Sequence, residues 1–550
     1  MTGKVLPQAN TYEELCARFR WDIPATFNIG VDICDRHAGD PARVAMIYEN
    51  EDGAVTEHTF AEFRDRSNRL ANGLRRLGVQ RGDRVGIVMS QRPETATAHV
   101  AIYKLGAIAL PLATLFGPEA LGYRLRNAGV RVVVTDALSL DRLLEVRTKL
   151  PELAHVISAD HTEVQGVWDY RSLLASESEQ FEPVATAAED PALLIFTSGT
   201  TGPPKGALHA HRIMLGRLPS MEFVHQAFPQ PGDRFWTPAD WAWAGGLLDM
   251  LLPSWHYGVT VVAHRSRKFD AARAFELMAR HKIRNVFLPA TVLKMMRLIE
   301  NPRKRWDVQL RTIHTGGEAV AEDLIRWARD ALGATPHDAF GQTEAVMIIG
   351  NSTDFMPVKP GSLGRPIPGH EIILLSAEGA PVPVGEIGEI ALKRPVPAMF
   401  LRYWNDEAAT REKFFGDWLL TGDLAKQDED GYLWYVGRKD DVISSGAYRI
   451  GPGEIESCLT GHPAVALAAA VGSPDPIRGE VVKAFVQLRE GFSPSAELAQ
   501  ELQAHVRTRL SAHEYPREIE FYDEIPTTTT GKVIRKGLRE LEHARKRPAP

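Results

Sequence analysis

The feature that most constrains the fold is a regular alternation of short apolar runs with amphipathic stretches along most of the chain. Arg84–Met89, Arg131–Thr135 and Leu193–Phe196 have the composition of buried strands. The stretch His58–Leu77 places apolar side chains at helical spacing and stops at Gly78, a residue suited to end a helix. Strands separated by about ten or more helical residues indicate βαβ units. We therefore predict an α/β fold with mixed, largely parallel sheets.

The pattern changes near Val358, where proline and glycine become frequent and short strand-like runs such as Glu389–Lys393 and Tyr432–Val436 appear. These runs predict a small β-rich subdomain. After Asp440 the pattern is that of a compact α+β domain, and 550 residues are too many for a single core. The predicted organisation is a large N-terminal domain over 1–437, a hinge over 438–442, a small α+β C-terminal domain over 443–540 and a disordered tail over 541–550.

Composition excludes several classes of protein. The chain has 64 basic and 70 acidic residues, so it lacks the overall positive charge expected of a protein that binds nucleic acid. The three cysteines, Cys16, Cys34 and Cys458, are scattered, so neither a disulfide framework nor a structural zinc site is expected. The first residues lack the apolar core of a signal peptide, and no stretch approaches the roughly 18 apolar residues of a membrane span. We expect a cytoplasmic protein, and the question whether it forms a homodimer stays open.

The most informative segment is the loop Thr197-Ser-Gly-Thr-Thr-Gly-Pro-Pro-Lys-Gly206, which follows a strand of buried type. Its glycines let backbone N–H groups approach oxygens closely, while its hydroxyl groups and lysine add donors and positive charge. The pattern is not a Walker A motif, because Lys205 is followed by Gly206 rather than by serine or threonine. The predicted phosphate-binding residues are Thr197, Ser198, Gly199, Thr200, Thr201, Gly202 and Lys205.

Further motifs follow this loop in order along the chain. They are Thr315–Glu318, Asp338–Glu344, Trp418–Asp423, Gly437–Asp441, Ser445–Glu456 and Pro526–Arg535. Together with the loop, these segments resemble the motifs of the AMP-forming adenylating enzymes, which include acyl-CoA synthetases, non-ribosomal peptide adenylation domains and firefly luciferase. The resemblance is strongest to short- and medium-chain acyl-CoA synthetases of the acetyl-CoA synthetase type.

The resemblance implies a role for each matching residue. Lys532 would be the adenylation lysine, Thr343 would contact the α-phosphate, and Glu344 would be the ligand of Mg²⁺. Asp440 would be the pivot about which a mobile C-terminal domain rotates between two half-reactions. The other implied nucleotide-binding residues are Gly317, Glu318, Asp338, Phe340, Gln342, Asp423, Arg438 and Arg449, of which Asp423 and Arg438 would lie at the ribose. Gly446 and Ala447 would line the tunnel for coenzyme A.

The same resemblance indicates an acyl pocket. The segment Asp240–Gly246 resembles a pocket wall of the family. The implied pocket residues are Trp243, Ala244, Gly245, Gly316 and Gly341. Acetate-specific relatives have a tryptophan where this chain has Gly341, so the resemblance implies a larger pocket. We expect a short- or medium-chain, branched or aromatic acid, and a wall without a charge at the far end of the acid.

The implied function is that of an acyl-CoA synthetase using ATP, Mg²⁺ and coenzyme A. Three alternatives stay open: a stand-alone adenylation enzyme that loads a separate carrier protein, a luciferase-like oxygenase, and a nucleotide-binding homologue without activity. Relatives usually have glycine at the position of Ala447, so a carrier protein stays open as the acceptor. His209 and His211 lie just after the loop without a third ligand nearby, and we interpret them as packing residues.

Overall fold

The computed structural model describes residues 3–197, 203–265, 269–317, 320–445, 448–475, 479–510, 515–528 and 533–546. The chain forms two compact units. The first comprises Met1–Glu371 and Lys393–Asp417, and the second comprises Ile372–Leu392 and Trp418–Pro550. The predicted hinge residues 438–442 lie within the second unit, which also contains the β-rich segment.

The first sheet of the first unit has nine strands and is parallel at its centre. In spatial order its strands are Arg365–Pro366, Val346–Gly350, Pro336–Gln342, Thr312–Gly316, Asn285–Phe287, Arg234–Trp236, Thr260–His264, Val44–Glu49 and Val55–Thr59. The strand Val346–Gly350 returns antiparallel to Pro336–Gln342, so a hairpin turn at residues 343–345 projects from this sheet.

The second sheet of the first unit has eight strands and is parallel through five of its pairings. Its spatial order is Arg402–Tyr403, Lys205–Ala210, Pro191–Thr197, Ile108–Pro111, Arg84–Val88, Val132–Thr135, His155–Ser158 and Val167–Asp169. Pro191–Thr197 and Lys205–Ala210 form an antiparallel hairpin, and the short strand Arg402–Tyr403 extends that hairpin at the edge. The predicted α/β fold with largely parallel sheets is confirmed.

Helices cover these sheets and bury apolar side chains against them. Phe275 and Leu324, for example, share a core with Ile313 of the nine-stranded sheet. The α-helices of this unit are Tyr12–Arg18, Ile29–Ile33, Phe60–Arg76, Pro93–Lys104, Pro118–Ala128, Ala137–Arg147, Tyr170–Ala175, Ile213–Val224, Ala244–Gly246, Leu252–His256, Ala271–Arg280, Ala290–Arg297, Pro302–Arg305, Glu322–Leu332 and Glu407–Glu412. There is also a 3₁₀ turn at Asp35–His37, a π-helical turn at Leu247–Leu251 and a two-residue strand at Phe414–Phe415.

The ends of the helix Phe60–Arg76 illustrate how local sequence sets these elements. Thr59 caps the N-terminus, because its hydroxyl oxygen accepts a hydrogen bond from the Glu62 backbone N–H at 3.2 Å. At the other end Gly78 adopts a φ of +86°, and the Val79 N–H reaches back to the Leu74 carbonyl at 3.0 Å. The helix end predicted at Gly78 is confirmed.

The second unit contains two sheets and three helices. The strands Ile372–Leu375, Ile387–Lys393, Trp418–Gln427 and Leu433–Arg438 belong to one sheet. The other sheet has the order Tyr448–Ile450, Ile443–Ser445, Gly479–Leu488 and Val465–Asp475, with Glu518–Phe521 paired in parallel to Gly479–Leu488. The helices are Pro452–Thr460, Ala496–Arg509 and Arg535–Lys546.

The last helix corrects one prediction. It continues to Lys546, so the expected disordered tail over 541–550 is wrong for residues 541–546. Glu542 is buried and accepts hydrogen bonds from Lys483 at 2.6 Å and from Ser473 at 2.9 Å, which fixes this end of the helix on its sheet. Within the described residues, no helix is long and apolar enough to cross a membrane.

Candidate active site

The phosphate loop predicted from the sequence is the connection of the hairpin in the eight-stranded sheet. Thr197 and Lys205 face each other across the two strands, and the Thr197 hydroxyl lies 3.4 Å from the Lys205 carbonyl oxygen. Tyr123 donates a hydrogen bond to the Pro204 carbonyl at 3.2 Å and so supports the loop from the helix Pro118–Ala128. Five predicted loop residues, Ser198, Gly199, Thr200, Thr201 and Gly202, lie outside the described residues.

Lys205 lies beside an aromatic ring that no predicted motif includes. Its Nζ is 5.5 Å from the centroid of the Tyr403 ring, a distance at which a cation is attracted to the ring face. Tyr403 pairs with Ala207 through the short edge strand, and the Trp404 N–H donates to the Gly206 carbonyl at 2.7 Å. The ring is therefore fixed to the same hairpin that supports Lys205.

Glu344 lies in the hairpin turn of the nine-stranded sheet, next to Thr343. It is buried, at 7% exposure, and Tyr403 Oη donates a hydrogen bond to its Oε1. Its carbonyl oxygen accepts a hydrogen bond from the Phe400 N–H at 2.8 Å. Within the part of the chain that the structure describes, Oε2 has no hydrogen-bond or ion-pair partner. Tyr403 thus joins a lysine of one sheet to a carboxylate of the other.

The donor set near Glu344 fits Mg²⁺. Magnesium prefers oxygen ligands and in nucleotide sites uses one or two carboxylates, completing its shell with water and phosphate oxygens. Glu344 Oε2 offers one such oxygen. No group of three or more histidine, cysteine or acidic side chains that could hold a metal alone occurs among the described residues. The arrangement is therefore suited to a metal that arrives with the nucleotide.

A further group of the predicted nucleotide-binding residues lies on or beside two neighbouring strands. Thr315 pairs with Asp338, and Gly317 follows with a φ of +95°, while Glu318 lies outside the described residues. Asp338 is buried, and burial raises the pKa of its carboxyl well above its ordinary value despite hydrogen bonds from the backbone of Ala339 and Val320. Burial therefore favours the neutral, protonated form of the Asp338 carboxyl. Phe340 and Gln342, farther along this strand, are half-buried.

The predicted acyl wall is aromatic. Trp243 precedes the helical turn that contains Ala244 and Gly245, and its ring meets Phe116 edge-on at 5.8 Å. A Cβ at Gly245 would lie 2.6 Å from Cε1 of Phe287, so this glycine lets the Phe287 ring approach the backbone. The motifs did not include Phe116 or Phe287. Both residues are far from Trp243 in sequence, so no motif could have identified them.

The two glycines predicted to line the pocket also have a backbone reason to be glycine. A Cβ at Gly316 would lie 2.8 Å from the Ala339 carbonyl oxygen, and one at Gly341 would lie 1.8 Å from the Val346 carbonyl oxygen. Any side chain at position 341 would therefore displace the hairpin that presents Glu344. The size of the acyl group cannot be inferred from Gly341 alone.

Polar side chains also lie on this face of the sheet. His314 shares the face of Gly316, because the two residues are two positions apart in one strand. It stacks on Phe287 at 4.8 Å, and its Nδ1 has no hydrogen-bond partner among the described residues. Burial, followed by the charge of Arg217, holds its pKa well below the usual range. Arg217 is itself buried and forms an ion pair with Asp249. The expected apolar wall is thus backed by a neutral imidazole.

The ribose residues predicted from the sequence lie together in the second unit. Asp423 and Arg438 face each other across two antiparallel strands, with Arg438 Nη1 3.4 Å from Asp423 Oδ2. Tyr435 donates to Asp423 Oδ1 at 3.1 Å, and burial together with the charge of Asp423 raises the pKa of Tyr435 well above its ordinary value. Arg438 Nε also lies 3.4 Å from Asp440 Oδ1. The Asp423 carboxylate is therefore held in a fixed orientation.

Several predicted residues of the C-terminal domain lie outside what the structure describes. These are Gly446, Ala447 and Lys532, and of Arg449 only the backbone, in the strand Tyr448–Ile450, is described. The ends of the Lys532 segment are nevertheless fixed: Thr527 and Val533 form a bridge, and the Ile534 N–H donates to the Pro526 carbonyl at 2.9 Å.

Of the two histidines after the phosphate loop, His209 lies in the strand Lys205–Ala210 and His211 follows that strand directly, and both side chains are completely buried. Burial lowers the pKa of His209 to about 3 and that of His211 to about 4, so both imidazoles are neutral. His211 Nδ1 accepts a hydrogen bond from the Ile29 N–H at 3.2 Å. Both residues pack inside the first unit, as predicted.

We expect Asp338→Asn to change how stability depends on pH. Asp338 takes up a proton on folding, because its folded pKa lies far above 3.8. Above that pH the unfolded state ionises while the folded state stays protonated. The free energy of unfolding of the wild type should therefore fall, relative to the variant, by about 1.4 kcal/mol per pH unit as pH rises towards the folded pKa.

Thermal unfolding between pH 5 and 9 measures this effect. The melting temperature of the wild type should decline with pH relative to that of Asp338→Asn. The exposed Asp330 supplies the control, since Asp330→Asn should show no such divergence. Parallel curves for the wild type and Asp338→Asn would contradict a buried, protonated Asp338.

Family models and sequence relatives match almost the whole chain. A model described as AMP-binding enzyme matches residues 34–404, and one described as AMP-binding enzyme C-terminal domain matches residues 454–532. Acetyl-coenzyme A synthetase of Bacillus subtilis is 35% identical over 96% of this chain and 95% of its own length. The mitochondrial acyl-coenzyme A synthetase ACSM3 of Mus musculus is 32% identical over 97% of this chain and 93% of its own.

Solved structures agree with these relatives. The anthranilate CoA ligase AuaEII in complex with anthranoyl-AMP aligns with a TM-score of 0.86 at 29% identity, over 95% of this chain and 98% of that chain. A benzoate CoA ligase from Burkholderia xenovorans LB400 aligns with a TM-score of 0.81 at 27% identity, over 93% and 100%. The chain therefore belongs to the AMP-binding enzyme family, among the AMP-forming acyl-CoA ligases of the adenylate-forming superfamily.

Proposed function

We propose that this ligase activates a short- or medium-chain, branched or aromatic acid in two steps. ATP and the acid first give acyl-AMP and pyrophosphate, and the thiol of coenzyme A then displaces AMP to give acyl-CoA. A thiol cannot displace hydroxide from a carboxylate, whereas AMP is a good leaving group. The observation that carries the proposal is the arrangement of Lys205, Tyr403 and Glu344 at the base of a loop rich in phosphate-binding residue types.

The first step brings two anions together, the carboxylate and the α-phosphate. Positive charge must therefore be concentrated at the phosphates. Lys205 supplies one cation from the end of the loop, and Lys532 is assigned as a second cation from its motif. Glu344 would hold Mg²⁺ through Oε2. When bound, magnesium stabilises the charge that develops on the phosphate oxygens.

Asp423 is proposed to accept hydrogen bonds from the ribose hydroxyls. Each of its oxygens already receives one donor, from Tyr435 and Arg438 respectively. A carboxylate oxygen has two lone pairs, so it can accept a hydrogen bond from a ribose hydroxyl in addition to one from a protein donor. The two donors fix the carboxylate plane, which is what selective binding of a diol requires.

The range of acids is proposed from the aromatic wall. Trp243, Phe116 and Phe287 present three rings around the segment assigned to the acyl group. Rings of this kind favour planar or branched apolar groups over a single methyl group. Two structural relatives are named for the aromatic acids anthranilate and benzoate, while the Bacillus subtilis relative is named for acetyl-coenzyme A.

The proposed acceptor is coenzyme A rather than a carrier protein. The sequence relatives are named as coenzyme A synthetases, and their matches cover 96% and 97% of this chain. The second candidate, a carrier protein as a separate partner, rests on Ala447, which stands where glycine is usual. Thioester formation with free coenzyme A decides between them.

The proposed location is the cytoplasm. The three cysteines Cys16, Cys34 and Cys458 are free thiols, which suits a reducing compartment. The mouse relative is named as mitochondrial, and that compartment is also reducing.

Replacing Lys532 tests its assignment as the adenylation lysine. Lys532→Ala should abolish acid-dependent pyrophosphate release, because the α-phosphate loses the cation that stabilises its transition state. The variant should still convert supplied acyl-AMP and coenzyme A to acyl-CoA. Lys536→Ala, which removes a half-exposed lysine of the last helix, is the matched control and should behave as the wild type. Unchanged pyrophosphate release in Lys532→Ala would show that the lysine assignment is wrong.

The second prediction concerns the acid. In a panel from C2 to C10 with branched and aromatic members, scored by pyrophosphate release, kcat/KM for the best acid should exceed that for acetate by about tenfold or more. Gly245→Ala places a methyl group against the Phe287 ring. It should therefore reduce kcat/KM for aromatic acids more than for acetate. If acetate gave the highest value in the panel, the proposed substrate range would be wrong although adenylation itself would stand.

A further inference from the structure

Tyr403 contacts two residues that the proposed function places at the nucleotide phosphates. Its hydroxyl donates to Glu344 Oε1, and its ring centroid lies 5.5 Å from Lys205 Nζ. Tyr403 is 6% exposed and Glu344 is 7% exposed, so both groups are shielded from bulk water. A hydrogen bond to a carboxylate in such surroundings is stronger and better oriented than one at the surface.

The position of the Tyr403 ring is set by contacts of its backbone and by one neighbouring ring. Its strand lies at the edge of the eight-stranded sheet opposite Ala207. The Tyr403 N–H donates to the Thr410 hydroxyl at 2.9 Å, and the Phe400 ring packs edge-on against the Tyr403 ring at 5.0 Å. These contacts fix the point at which the hydroxyl is presented.

The same short segment also holds the backbone of Glu344. The Phe400 N–H donates to the Glu344 carbonyl at 2.8 Å, three residues before Tyr403. Glu344 is therefore held at two points, through its carbonyl oxygen and through Oε1. Oε1 already accepts the Tyr403 hydrogen bond, whereas Oε2 accepts none from the described residues, so Oε2 is the more open oxygen for a metal.

We propose that Tyr403 is a positioning residue for metal–nucleotide binding. Its hydroxyl directs Glu344 Oε2 towards the metal, and its ring face holds the Lys205 ammonium group at a set distance from that carboxylate. The inference rests on the proposed function in one respect, namely that Glu344 is the metal ligand. Partners that orient a metal-binding carboxylate typically contribute about 10–100-fold to metal affinity.

Two variants separate the two contacts. Tyr403→Phe removes the hydroxyl and keeps the ring, whereas Tyr403→Leu removes both. The readout is the affinity for Mn²⁺ of the complex with α,β-methylene-ATP, measured by electron paramagnetic resonance without turnover. We expect Tyr403→Phe to weaken Mn²⁺ binding by about tenfold, with little change in the affinity for the nucleotide alone. Tyr403→Leu should in addition weaken binding of the nucleotide, because Lys205 loses its aromatic contact.

A double-mutant cycle makes the assignment specific. If Tyr403 acts through Glu344, then adding Tyr403→Phe to Glu344→Gln should cause no further loss of Mn²⁺ affinity. Tyr12→Phe is the matched control, since Tyr12 is also buried and its hydroxyl donates to a backbone carbonyl, that of Pro366, rather than to Glu344. This control should bind Mn²⁺ as the wild type does. If Tyr403→Phe folds poorly, Tyr403→His, which keeps a ring N–H donor, should retain more Mn²⁺ affinity than Tyr403→Leu.

The outcomes distinguish this inference from the proposed function. Wild-type Mn²⁺ affinity in Tyr403→Phe, or equal losses in Tyr403→His and Tyr403→Leu, would overturn the positioning role while leaving adenylation intact. A wild-type protein that forms no acyl-AMP from any acid would instead overturn the proposed function. A lower melting temperature with unchanged Mn²⁺ affinity would assign Tyr403 to packing alone.

Discussion

The hydrogen bond from Tyr403 to Glu344 joins hairpins that project from two different sheets. Each sheet alone presents only part of the proposed nucleotide site. The eight-stranded sheet provides the loop with Lys205, and the nine-stranded sheet provides the turn with Thr343 and Glu344. The Phe400 N–H adds a second link, to the Glu344 backbone. A buried carboxylate needs such partners, because its charge would otherwise be stabilised by nothing but distant groups. The geometry proposed for phosphate binding thus depends on these two contacts with Glu344.

Much of the fold could be predicted from the sequence because its signals are local. A strand such as Pro191–Thr197 is marked by its own apolar run, and the helix Phe60–Arg76 by Thr59 at its start and Gly78 at its end. Each of these signals occupies a few consecutive residues. The last helix had no such signal. It buries only Leu538 and Glu542. The donors to Glu542, Lys483 and Ser473, lie on strands distant in sequence, so these hydrogen bonds could not be predicted from the helix itself.

The candidate site could be predicted in part. Motif residues such as Asp423 and Arg438 are fifteen positions apart and still meet, because an antiparallel pair of strands places them opposite each other. Tyr403, Phe287 and His314 could not be found, since their partners are distant in sequence and belong to other elements. Gly341 shows a different limit. The glycine in place of the tryptophan of acetate-specific relatives implies a larger acyl pocket. The structure also requires glycine at this position, because a Cβ would collide with the Val346 carbonyl oxygen.

The central claim is that the acid attacks the α-phosphate of ATP. The test supplies an accepted acid with ¹⁸O in both carboxylate oxygens, together with ATP and coenzyme A. The masses of AMP and pyrophosphate are then measured by mass spectrometry. Attack at the α-phosphorus forms an acyl-AMP whose bridging oxygen comes from the acid, and the thiol then leaves that oxygen on AMP. The account predicts AMP that carries one ¹⁸O and pyrophosphate that carries none. Unlabelled AMP, with the label in another phosphate product, would contradict it.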